Sequence, residues 1–574
     1  MNFLKARLPF LLLWWAWMPV GAFLVWILLR YGLSGMGTWS QWWRLTVVQR
    51  MWLPGGSLSH ATGLFWFWVA VGLIGTAVIA VTGDDGYATG FRASVPVATV
   101  AVIAAIGVLV VPFLRVVWDN DKDEGRYYNR ATTWHITDGA NPPASLGYLM
   151  RGAKQGERGC SYRGAADVRG CVQVDKLSGI AAWEGRTSSY ASAQQMMTHA
   201  ASPAPKVDFW EDTLTYLYGA PPKPGGDSGP GIWTAVLDGS GKATPTYGIA
   251  SWDGASNTVK VACRFAPGDF DRAFHGARGN SLPNWLGEKY PDLLWDDDDV
   301  WGYCQNGRPV IVIPVKRQVA FKNRSVMTAA GVLIVTGDHG VHAAYRRTVR
   351  AGDLPGPAYP ESLTVLQRKA TEWAAGRKWR SRASFGFKPT VDDVQGSNTS
   401  EYLLRGPGDH LYYVTPLTPN ASKSQAFIAY AVAPADAAAD GRLNPMDLYV
   451  LPDGDPNVAN LNALTNKATD AVRGVDPTFL NTGGRLEEFT PLGGDMWRVY
   501  GVRRGLTEFY VDLSITGRTS PRTVNVSSTP NPGGKTTPTV SGCGKPPAQL
   551  SNKELANCIG ALGDELRRRN GSTP

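Results

Sequence analysis

Three groups of residues have the types and spacing to do chemistry. They are a serine in a glycine-rich turn, Gly226-Asp227-Ser228-Gly229; two histidines three apart beside an acid, Asp338, His339 and His342; and four consecutive carboxylates, Asp296, Asp297, Asp298 and Asp299, lying between Trp295 and Trp301. A serine hydroxyl attacks a carbonyl only when a neighbouring base takes its proton and an acid orients that base. Converging imidazoles and carboxylates hold Zn²⁺ or Ca²⁺. On this chemistry Ser228 is the candidate nucleophile, and Asp296, Asp297, Asp298, Asp299, His339 and His342 are candidate metal ligands. A further acidic run, Asp119, Asp121, Asp123 and Glu124, departs from a calcium loop because Glu124 stands where the glycine belongs and the twelfth position is Arg130. It reads as a solvated turn. Tyr402 to Arg405 with Tyr412 and Tyr413 form a candidate aromatic recognition surface.

The serine motif is followed by Tyr247-Gly248-Ile249-Ala250-Ser251-Trp252. Over these 27 residues the chain resembles the nucleophile region of trypsin-like serine proteases. The resemblance implies Ser228 as nucleophile, Gly226 as an oxyanion-hole donor and Ser251-Trp252 on the substrate-binding strand. Pro230 and Gly231 reverse the family's Gly-Pro order. That family also sets its histidine and aspartate upstream, whereas His199 precedes Ser228 by only 29 residues and His135 follows too soon after the apolar N-terminal region. No Walker loop, dinucleotide fingerprint or His-Glu-x-x-His motif is present, so no cofactor is expected.

The elements that must position these groups begin with an apolar region over residues 1–118. Its stretches at about 9–29, 63–81 and 95–118 are each near the roughly 20 residues a helix needs to cross a bilayer. They predict three transmembrane helices. Between the first two, about 38–53, Trp39, Trp42, Trp43 and Trp52 alternate with Arg44 and Arg50, the composition of an amphipathic helix in the headgroup layer. The lipid bilayer is therefore an expected partner.

Two rules disagree on the side of the following body. The arginines and lysines around the three stretches favour the cytoplasm. The six cysteines, an even number and all beyond the apolar region, favour disulfides and an oxidising compartment. Proximity suggests Cys160 with Cys171, Cys263 with Cys304 and Cys543 with Cys558. Because Arg44 and Arg50 count weakly if they lie in the interface, the cysteines decide for an extracytoplasmic body.

Beyond residue 118, short apolar runs separated by Gly, Pro, Asn and Asp predict strands. The clearest is the alternation of Phe509, Val511, Leu513 and Ile515. Leu363, Leu366, Ala370 and Trp373 recur at helical spacing and predict a helix from Glu361 to Gly376. Prolines 355, 357 and 360 mark a break before it, giving a β-rich unit over 119–350 and an α+β unit over 351–515. The Thr-, Pro- and Gly-rich stretch 516–542 reads as a disordered linker. The tail 543–574 carries a short amphipathic helix on Leu555, Ile559, Leu562 and Leu566, behind a Ser551/Glu554 capping box.

The net charge of +9 is scattered rather than striped, so nucleic acid is not an expected partner. High Arg, Ala, Gly and Trp usage points to a GC-rich bacterial or phage genome. With no complete catalytic constellation in view, the reading is a membrane-anchored, extracytoplasmic binding or scaffold protein of a cell-envelope system. Its partner would be another envelope protein, met through the body or the tail helix. The alternatives are an envelope hydrolase using Ser228, and a subunit of a secretion or conjugation complex.

Overall fold

The computed structural model describes residues 2–31, 36, 38–52, 62–82, 99–106, 123–137, 171–175, 182–200, 202–219, 231–241, 243–254, 258–277, 279–321, 324–373, 386–389, 401–420, 426–451 and 461–526. The chain divides into two compact units, Met1–Val524 and Asn525–Pro574. The predicted tail helix, most of the predicted linker, Ser228, Cys160, Cys543 and Cys558 lie outside the described residues.

The expected membrane architecture is corrected. Among the described residues no helix is long and apolar enough to cross a membrane. The first helix, Asn2–Tyr31, contains Pro9 and Pro19, each of which removes a backbone N–H from the helical ladder. The second expected span falls in the helix Thr62–Thr82, and of the third only residues 99–106 are described, as helix.

The helices instead use one face on each other. Trp14 Nε1 donates to Gly72 O at 3.2 Å, and a Cβ at Gly75 would stand 2.3 Å from the Trp14 ring, so glycine is what lets the indole approach. Leu13, Trp17, Phe23, Leu24 and Leu28 on the first helix remain exposed, as do Val100, Ile103 and Ile106.

The segment expected to lie in the headgroup layer makes contacts with the rest of the chain. It forms a short helix, Thr38–Trp42, running into a π-helical stretch, Trp43–Trp52, and it docks on the β-rich body. Arg44 pairs with Asp292 at 2.9 Å, Gln49 Nε2 donates to the same carboxylate at 3.2 Å, and Gln41 Nε2 donates to Leu293 O at 2.5 Å. Val48 is buried against Val25, Trp26, Trp43 and Trp68. Trp39 and Trp42 are exposed, and the side chains of Arg50 and Trp52 lie outside the described set.

The body is β-rich with small helices, its larger sheets forming a propeller-like set of four. Three of these are four-strand antiparallel meanders in chain order. The first is Val207–Leu217, Ile232–Gly241, Gly248–Trp252 and Lys260–Arg264, with His275–Gly276 added in parallel to the second strand. The second is Trp301–Gln305, Arg308–Phe321, Arg324–Gly337 and Val341–Arg346; the third is Gly484–Gly493, Met496–Arg503, Leu506–Ser514 and Arg522–Asn525. The fourth sheet is mixed and seven-stranded, with Thr132–Thr137 parallel to both Met446–Val450 and Cys171–Asp175. Tight two-residue turns set two of the registers. Asn306 and Gly307, at φ 52 and 77, and Arg504 and Gly505, at φ 53 and 80, hold the left-handed conformations that match the strand twist.

The first and second meanders share a core in which Val236 and Ile249 meet Ile311, Ile313, Leu333 and Val335. The disulfide Cys263–Cys304 joins the last strand of one to the first strand of the other. A separate core packs the mixed sheet and the third meander around the helix Leu461–Val475.

Three sheets converge on residues 183–189, which run between them as a strap. Trp183 N–H donates to Leu492 O at 2.8 Å, and Glu184 N–H to Arg405 O at 2.7 Å. Tyr218 Oη donates to Glu184 O at 3.1 Å, and Arg498 Nη1 and Tyr500 Oη both donate to Arg186 O. The buried Arg186 pairs with the buried Glu488 and lies 5.0 Å over the Trp233 ring.

Candidate functional site

The acidic run forms a single 3₁₀ turn, Asp297–Asp299, with Asp296 before it. Asp299 points inward, fully buried, and accepts the backbone N–H of Ser362 at 3.1 Å and its hydroxyl at 2.5 Å. Lys316, buried on the strand Arg308–Phe321, reaches Asp296 Oδ2 at 2.6 Å and Ser362 Oγ at 2.7 Å, with Asp299 3.9 Å away. Ser362 belongs to the first turn of the helix Glu361–Lys369, so turn, strand and helix meet at one ammonium group.

This junction suppresses ionisation. Burial pushes Asp299 up to about 6, while Lys316 and then Ser362 pull it back. Burial and the nearby Asp212 raise both Asp297 and Asp298. Burial also raises Glu361, against the pull of Arg368. Burial and the neighbouring carboxyl groups thus disfavour ionisation at this junction, against the pull of Lys316 and Arg368.

Beside the turn stands an oriented imidazole. Asp238, buried near the end of the strand Ile232–Gly241, accepts from Thr246 Oγ1 at 2.5 Å, from the backbone N–H groups of Phe274 and His275 at 3.1 and 2.8 Å, and from His275 Nδ1 at 2.9 Å. The hydrogen bond to Asp238 is the chief cause that raises His275's pKa. A carboxylate on Nδ1 fixes the ring and leaves Nε2 as its second basic atom, the arrangement of an acid–base pair. Gly231, the first described residue after the Gly226–Gly229 motif, lies at the opposite end of this strand. At 3.3 Å per residue it is about 23 Å from Asp238.

The other predicted groups do not converge. His339 is 96% exposed at φ 50, while His342 Nε2 lies 2.7 Å from Asp338 O. Among the described residues no group of three or more His, Cys, Asp or Glu is arranged to hold a metal ion. Tyr402 and Tyr413 are core residues whose hydroxyls donate to Phe489 O and Tyr359 O, and Arg405 is buried against Glu184. Sequence reasoning missed Lys316, Asp238 and His275. A lone lysine in the apolar run 309–315 and its continuation was the available signal for the first; nothing in the spacing announces the other two. No protein-family model matches the chain, and no curated protein or solved structure matches it.

Proposed function

We propose that the chain is a binding or scaffold protein of a cell-envelope system that holds a protein partner against the apolar face of its N-terminal helices. The observation that carries this is the contrast between the two sides of the first helix. One side is filled by Trp14 against Gly72 and Gly75, and the other leaves Leu13, Trp17, Leu24 and Leu28 exposed. A contiguous apolar patch marks an interaction surface, and covering it stabilises an assembly by roughly 25 cal/mol per Å². The docking of Gln41, Arg44 and Gln49 on the body ties that face to a stable β platform. The Cys263–Cys304 disulfide supports an oxidising compartment.

Site-specific photo-crosslinking tests the reading. A crosslinker at Leu24 in cells is expected to give one discrete higher-mass protein adduct, lost when Leu13 and Leu28 are both changed to Glu. Adducts to lipid alone, or the same adducts from exposed β-body positions, would remove the protein partner. The Asp238–His275 pair favours a second reading, a hydrolase. Hydrolysis of a simple ester by the wild-type protein that is lost in His275→Ala would support it, and hydrolysis that survives the change counts against it.

A further inference from the structure

Tyr402 and Tyr413 are taken up by the core, but Tyr412 is half-buried. It stands on the strand Leu411–Pro419, whose neighbour Ala429–Pro434 pairs with Met446–Val450, which pairs in turn with Thr132–Thr137. The registers set Tyr412 opposite Pro434, Val432 opposite Asp447, and Tyr449 opposite both Tyr430 and His135. Side chains alternate along a strand, so Tyr412, Asp447, Tyr449 and His135 share one face of the mixed sheet. The core around the helix Leu461–Val475 buries Tyr430 and Val432 on that face and leaves these four half-buried at its margin.

Packing and hydrogen bonds hold this margin in place. His135 stacks on Tyr449 with ring centroids 4.6 Å apart and planes 14° from parallel, and its Nε2 lies 3.0 Å from Asp447 Oδ1. A Cβ at Gly406 would stand 2.6 Å from the Tyr412 ring, so glycine is what lets the backbone close on that ring. Beside Tyr412, the buried Asp436 accepts from the Leu411 N–H at 3.2 Å and lies 3.1 Å from His410 Nδ1. Two phenols, two imidazoles and two carboxylates therefore line one strip.

What the strip lacks is a permanent counter-cation. Elsewhere in the body Arg317 serves Asp440, Arg498 serves Asp512 and Arg503 serves Asp476. Among the described residues Asp447 meets only the His135 imidazole, and Asp436 only the His410 imidazole and a backbone N–H. Arg405, opposite Leu411 on the adjoining strand, is committed to Glu184 and Gly219 O. A carboxylate flanked by aromatic rings takes a guanidinium or ammonium group, by ion pairing and by attraction to the ring faces. We propose that this strip binds an organic cation, a guanidinium or alkylammonium group, with Asp447 pairing its charge and Tyr412 and Tyr449 flanking it. The inference is independent of the apolar helix face.

NMR of the full chain carrying isotope-labelled histidine tests this, with argininamide and, separately, spermidine as the probes. The His135 ring signal is expected to shift saturably with at least one of them, while the exposed His339 stays where it is. Saturation by argininamide alone identifies a guanidinium site such as a protein's arginine would fill, and saturation by spermidine alone identifies an alkylammonium site. Asp447→Asn is expected to weaken the apparent affinity about tenfold, and Tyr412→Leu about threefold. If one of these variants does not fold, the other decides. No saturable shift at His135 with either probe, an equal shift at His339, or an affinity unchanged by the substitutions overturns the proposal.

Discussion

Asp238 is satisfied by four donors before any ligand arrives, and this makes His275 a group whose protonation can be followed as a local reporter. In Asp238→Asn the ring loses its charged partner. The His275 pKa, read by NMR titration, is expected to fall toward or below 6.5 from its raised native position. Because the folded value is raised, the pair stabilises the protein at acid pH and the contribution is lost as pH climbs through that value. A titration identical to wild type would mean that the carboxylate does not govern the ring. Arg186 is a different case, since its partner Glu488 is buried beneath the strap. Arg186→Met leaves that carboxylate without its guanidinium and is expected to cost about 3–5 kcal/mol in urea unfolding. A loss below about 1 kcal/mol would show that Glu488 takes up a proton instead.

At the scale of elements, the Cys263–Cys304 bridge closes a separation of 41 residues across the two-meander core. On the chain-entropy account, a loop of that size is worth about 4 kcal/mol at 25 °C. Cys263→Ser/Cys304→Ser, or reduction, is expected to lower the melting temperature of the body. No change would show that the apolar core alone holds the two sheets. Much of this level was legible. The alternation over Phe509–Ile515 is the strand Leu506–Ser514, and the helix predicted from Glu361 is there, tightening into a 3₁₀ turn over Ala370–Trp373. Asn306-Gly307 is a hairpin signal readable by eye. The helix Leu461–Val475 was overlooked although Leu461, Leu464, Ala468 and Val472 stand on one face, because small polar residues dilute the stripe. The acidic run was equally visible, but its meaning was not. Lys316 and Ser362 come from other elements, and no spacing rule brings them to Asp299.

Across the whole molecule, hydrophobicity misled where it was counted without its partners. Long apolar stretches measure how much surface must be hidden, not what hides it, and here Trp14 and Trp15 meet Gly72 and Gly75 of another helix. The same blindness to distance applies to the strap, where Arg186 waits for Glu488 at a separation of 302 residues. That separation sets a timetable for the growing chain. At about 5–20 residues per second a ribosome needs roughly 15–60 s between making the arginine and making its counter-charge. Through that interval Trp183, Trp233 and the tyrosines around them stand without their final neighbours. A chain ended before residue 488 keeps the strap's contacts to Tyr218 and Arg405 but lacks those to Glu488, Leu492, Arg498 and Tyr500.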